Sequence, residues 1–94
     1  MTTVVVTGIG ATTPLGGDIS STWKALLAGE SGVSTLEQDW VAQYELPVTF
    51  AAQAKVKAED VLERQEFKRL DPSAQFALIS AREAWADAGA PDVD

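Results

Sequence analysis

Two groups of residues in this chain have types and spacings that chemistry uses. Gly8 and Gly10 follow the β-branched run Val4-Val5-Val6, which is how a dinucleotide-binding turn begins. Such a turn would cradle a pyrophosphate on backbone amides at the start of a helix. Arg64, Lys68 and Arg69 place three of the seven Lys and Arg residues within six positions of an acidic chain. A cluster of that kind meets an anionic surface, because opposite charge steers encounter and fixes register.

The glycine pattern is incomplete. Three glycines have set tasks in the fingerprint: a tight turn, close approach to the pyrophosphate, and helix–strand contact. Gly8 and Gly10 fill two slots and Thr13 stands in the third. Thr12 and Thr13 also occupy the region where the short-chain dehydrogenase variant has further glycines. No Gly-Lys-Ser/Thr follows, so a Walker loop is excluded as well. The remaining reading is a buried strand whose glycines let the chain turn, with no cofactor.

The chain has no cysteine and no histidine. Their absence removes disulfides, the commonest nucleophile–base pairs and nearly every zinc arrangement. No residue is therefore assigned as catalytic or metal-binding. The net charge of −7 argues against nucleic acid and anionic membranes as general partners. The apolar runs are far shorter than the roughly 20 residues needed to span a bilayer. A soluble, cytoplasmic protein is expected. Ninety-four residues fit at most one small domain, which would bury only about 60% of its unfolded surface.

The elements that must hold these groups follow from periodicity. Residues 3–9 read as a strand covered on both faces, from Val4, Val5, Val6 and Ile9. Asp18 caps a helix with Ile19, Trp23, Leu26 and Leu27 on one face, and Gly29 stops it. "GESGVSTL" reads as a connector, and Trp40, Val41 and Tyr44 suit one helical turn. "PVTFAAQA" suggests a short half-exposed strand. Residues 55–69 are charge-dense and read as a surface excursion with a short helical piece, outside the core.

"LDPSAQFALISAREAWADAGA" is the clearest helix, with Asp71 as cap, Pro72 at the first position and Gly89 beyond the end. Its alanines allow close backbone contact, and Ser73, Ser80, Glu83 and Asp87 form a polar stripe. Gln75 and Arg82 lie nearly opposite it, and Arg82 is expected to snorkel or to pair with a neighbouring element. One strand has no sheet, so its amides would lie unpaired. The inventory predicts the opening of a larger α/β domain, incomplete over residues 1–94.

Three pieces in order carry a family resemblance: "VVVTGIGATTPLGGDISSTWKALLAGESGV", a variable charged stretch, and "KRLDPSAQFALISAREAWADAGA". The chain resembles the amino-terminal portion of a β-ketoacyl-[acyl-carrier-protein] synthase of the elongating, KAS II type. The resemblance implies a thiolase-like fold, a five-layered α/β/α/β/α body that is usually dimeric. It implies transfer of an acyl group from a carrier protein to a cysteine. Decarboxylation of malonyl-carrier protein then gives the carbanion that attacks the thioester, with two histidines stabilising charge. In that family the cysteine and histidines lie well beyond residue 94, so the segment by itself is expected to be inactive. There "VVVTGIG" is a central strand whose glycines serve the turn and the packing.

The resemblance also gives the basic cluster a partner. The family's basic residues just before the "Leu-Asp" of the long helix face the acidic acyl carrier protein. Lys68 and Arg69 match those positions and Arg64 matches more loosely. The plainer reading is a solvated charge run balanced by Glu59, Asp60, Glu63 and Glu66. Trp23, Trp40 and Trp85 are expected to serve core and interface packing. Rival functions are a type II polyketide ketosynthase or its chain-length partner, and a stand-alone, non-catalytic binder of an acyl carrier protein.

Overall fold

The computed structural model describes residues 2–93. Helix α1 spans Ile19–Leu27, strand β1 Val33–Thr35, helix α2 Asp39–Gln43 and strand β2 Phe50–Ala52. A 3₁₀ turn over Ala58–Asp60 leads to α3 (Arg64–Arg69) and α4 (Pro72–Asp87). The radius of gyration is 16.8 Å, against about 12 Å for a compact chain of this length. Helices and a small sheet are both present, but the chain is spread along α4 rather than closed around one core.

The caps formed as the local signals demand. Asp18 accepts from the Ser21 amide at 2.8 Å, and Asp71 accepts from the Ala74 amide at 2.9 Å. Pro72 opens α4, and Gly29 and Gly89 follow α1 and α4 with φ of 74° and 89°. That left-handed conformation is why glycine stands at both stops.

The strand expected over residues 3–9 is not formed, which corrects the periodicity reading. A strand requires a laddered neighbour, and none lies beside these residues among those described. Val4 is 89% exposed, and Val5 and Val6 are also exposed. The segment runs instead against α4. A side chain at Gly8 would collide with the Ala84 carbonyl and the Ala88 Cβ, and one at Gly10 with the Ser80 carbonyl. These glycines serve close packing on the Ser80–Ala84–Ala88 stripe. The positive φ values among glycines lie at Gly29 and Gly89, so Gly8 and Gly10 need no left-handed turn.

The sheet lies elsewhere. β1 and β2 pair antiparallel, with Val33 opposite Ala52 and Thr35 opposite Phe50. β1 corrects the connector reading of "GESGVSTL", since three residues are too few for alternation to register. β2 matches the expected half-exposed strand, and α2 is the expected helical turn with Val41 buried.

Two burial expectations also fail. In α1 the buried residue is Ala25, while Trp23, Leu26 and Leu27 are exposed, since no described element covers that face. Conversely, residues 55–69 are not outside the core. Ala58 and Leu62, each 6% exposed, pack with Ile79 of α4, and Phe67, Phe76 and Leu78 lie against them. One small residue and one leucine within a charge-dense stretch give little periodic signal, yet they seat this stretch on α4. Trp23, Trp40 and Trp85 all remain exposed, so none is a core residue in this arrangement.

Candidate functional site

The glycine loop is closed to anions by its own neighbours. Ile9 donates its amide to Asp87 at 3.0 Å, and Ala11 donates to Glu83 at 2.8 Å. The first amide of α1, on Ile19, also donates to the Glu83 carboxylate, at 3.0 and 3.2 Å. A phosphate would need these same donors, and two carboxylates already hold them. Thr13, in the slot of the missing glycine, fastens the loop. Its hydroxyl accepts from Leu15 at 3.1 Å and shares a 2.9 Å hydrogen bond with the Thr22 hydroxyl. The polar stripe of α4 is therefore a scaffold for the loop.

The basic cluster is gathered on one element. Arg64 opens α3, and Lys68 and Arg69 form its last turn. At about 100° per residue, Arg64 and Lys68 lie nearly in line along the helix, and Arg69 stands about a quarter-turn further round. All three are exposed. Among the described residues, none of them has a carboxylate within ion-pair distance.

α3 is tied to the body through Phe67 and Glu66. Phe67 is half-buried against the Ala58–Leu62–Ile79 cluster. Glu66 receives both ends of the Arg82 guanidinium from α4, Nη1 donating to Oε1 at 3.0 Å and Nη2 to Oε2. Hydrogen bonding by Arg82 holds the Glu66 carboxyl below its ordinary range and raises the guanidinium's own affinity for its proton. The pairing expected of Arg82 is thus present. It also removes Glu66 from the acids thought to balance the cluster. Glu59, Asp60 and Glu63 form no ion pair with the three cations.

The contribution of Gln75 was not legible in the sequence. It is 7% exposed, and its side-chain amide donates to the carbonyls of Phe67 at 2.9 Å and Leu70 at 2.8 Å. A polar residue at a core-facing position just after a capped helix start was the available signal. A separate depression of about 450 Å³ lies between β1 and α2, lined by Leu36, Val41 and Leu46 among others, away from the cations.

Comparison with known proteins places this chain in a family. The family model described as "Beta-ketoacyl synthase, N-terminal domain" matches residues 1–94. The chain is 37% identical over 91 residues to proteins named 3-oxoacyl-[acyl-carrier-protein] synthase 2 from Mycobacterium bovis and Mycobacterium tuberculosis. Identity to the protein of that name from Mycobacterium leprae is 35%, again over 91 residues. Each alignment covers 97% of this chain and 22% of the relative, so the chain spans about a fifth of the length of these proteins. With the opening loop, the long capped helix and the basic stretch before it all inside the matched region, the chain belongs to the β-ketoacyl synthase family, as KAS II-type amino-terminal sequence.

Proposed function

We propose that this chain is part of an enzyme that condenses an acyl-[acyl-carrier-protein] with malonyl-[acyl-carrier-protein] in fatty acid elongation. Loss of carbon dioxide from the malonyl thioester leaves a carbanion. The acyl group has first passed from its own carrier to an enzyme cysteine, releasing that carrier's thiol. The carbanion attacks the acyl carbonyl, forms the new carbon–carbon bond of the 3-oxoacyl product and expels the cysteine thiolate. The chain holds neither cysteine nor histidine, so its part is scaffold and recognition rather than bond-making. Its elements belong to the amino-terminal half of a thiolase-like body, which functions as a cytoplasmic homodimer. Residues 1–94 are then an incomplete share of that half. The reading is carried by likeness over nearly the whole chain to proteins whose names state this activity.

Within that enzyme, Arg64, Lys68 and Arg69 dock the carrier protein. The support is their geometry: three exposed cations on one short helix, with the adjacent Glu66 already neutralised from behind by Arg82. The test uses the natural protein that contains this chain, supplied with both carrier-bound thioesters. Formation of 3-oxoacyl product with release of carbon dioxide is expected, and failure to form it overturns the assignment. The double variant Lys68→Ala/Arg69→Ala should raise KM for the carrier-bound substrate by about 5- to 20-fold, since exposed charges act mainly on encounter. An unchanged KM would overturn the docking role and leave the family membership standing.

A further inference from the structure

We infer that Gln75 is a positioning residue for the basic helix: from α4 it holds the C-terminal end of α3, and so sets the direction in which Lys68 and Arg69 are presented. This rests on the docking role proposed above and adds what keeps that surface in shape. Six residues are far too few for a helix to persist unaided. Neither end of α3 is capped in the usual way. Glu63 at its N-cap makes no side-chain hydrogen bond, and Leu70 at its C-cap is extended, with φ −110° and ψ 144°. The carbonyls at a helix C-terminus need partners from outside the helix.

Gln75 supplies them. Its two N–H groups reach the Phe67 carbonyl, next to Lys68, and the Leu70 carbonyl, next to Arg69. The two docking cations therefore lie between the two bonds, at the place where the chain turns from α3 into α4. The other polar tie, Arg82 to Glu66, is on the surface, with the arginine side chain 56% exposed, and exposed pairs hold weakly. Gln75 is the buried one, and a buried carbonyl left without a donor is costly. The remaining tie described, Phe67 against the core, anchors the middle of α3 through a side chain. The two hydrogen bonds from Gln75 anchor the backbone of its last turn, where Lys68 and Arg69 stand.

Limited trypsin digestion of the natural protein reads this directly, because trypsin cuts after Arg64, Lys68 and Arg69. In Gln75→Met, which fills the same space without a donor, cleavage at these three sites should rise about tenfold relative to cleavage at Lys24. Affinity for purified holo-acyl carrier protein should fall about three- to tenfold. Cleavage that stays at the wild-type rate overturns the inference whatever the affinity does. Faster cleavage with unchanged affinity also overturns it, provided Lys68→Ala/Arg69→Ala lowers affinity, and in that case the docking role survives. If the double variant has no effect either, the docking role falls and the positioning role falls with it. Should Gln75→Met fail to fold, Gln75→Asn decides the matter by the same two readouts. It keeps a polar amide but withdraws it by one methylene from carbonyls that now lie at 2.8 and 2.9 Å.

Discussion

A carboxylate on one helix can serve as the terminus of two other segments, and Glu83 does so here. Its oxygens accept from Ala11 in the glycine loop and from Ile19 at the start of α1. Hydrogen bonds to a charged acceptor contribute about 1.5–3 kcal/mol each. Losing this acceptor leaves two part-buried amides without a partner. In Glu83→Ala, hydrogen exchange at Ala11 and Ile19 should quicken by about 30-fold, equivalent to about 2 kcal/mol. Unchanged exchange at both amides would show that water replaces the carboxylate without loss. The glycines beneath the loop have a different constraint. Gly10→Ala drives a methyl into the Ser80 carbonyl, and overpacking of that kind costs about 1–3 kcal/mol. A drop in Tm of the natural protein is expected, and an unaltered Tm would mean that the segment lifts off α4 without penalty. At this scale the sequence was partly legible. Glu83 and Asp87 stood out as a polar stripe, but their partners are more than 70 residues away for Ile9 and Ala11. No local pattern encodes that pairing.

The helices show where legibility begins and ends. Caps are local: Asp18, Asp71, Pro72, Gly29 and Gly89 each act on atoms within a few residues, and each was readable. Burial is not local. The Trp23–Leu26–Leu27 face of α1 has the period of a buried face, yet it is exposed because cover depends on other elements. The Val4–Val6 run has strand composition but no neighbour to ladder with. Ala58 and Leu62 form core contacts with Ile79 that a charge-dense context conceals. α3 falls between these cases, since its cations and the pairing of Arg82 were readable and the hold of Gln75 on its last turn was not.

The caps carry a pH signature of their own. Hydrogen bonds from Ser21 lower the Asp18 carboxyl from its ordinary 3.8, and the Ala74 amide does the same for Asp71. A carboxyl lowered in the folded state stabilises that state above its ordinary value, and the effect disappears as pH falls through the lowered one. Amide protection at Ser21 and Ala74 should therefore hold at pH 6 and decline below about pH 3.8, the ordinary aspartate value. Asp18→Asn and Asp71→Asn should flatten that decline at their own helices only. A decline that persists in both variants would place its origin in other carboxylates.

Charge is unevenly distributed over this chain. Residues 55–69 hold Lys55, Lys57, Arg64, Lys68 and Arg69 against Glu59, Asp60, Glu63 and Glu66. One net positive charge therefore sits in this stretch and eight net negative charges lie elsewhere. On the docking role proposed above, an acidic partner would be repelled by most of this chain and attracted at α3, so the same field that steers approach would also exclude wrong orientations. Steering of this kind is screened within about 10 Å at 0.1 M salt. The association rate of an acyl carrier protein with the natural protein should therefore fall steeply between low salt and about 0.15 M. Lys68→Ala/Arg69→Ala should slow association at low salt and flatten the salt dependence. Lys24→Ala, on the exposed α1 and remote in sequence from the cluster, should leave both unchanged. If all three cations proved equivalent, net charge alone would govern the encounter and α3 would have no special part. A selective effect at Lys68 and Arg69 would mean that the position of charge matters, and position is what the short, tethered helix supplies.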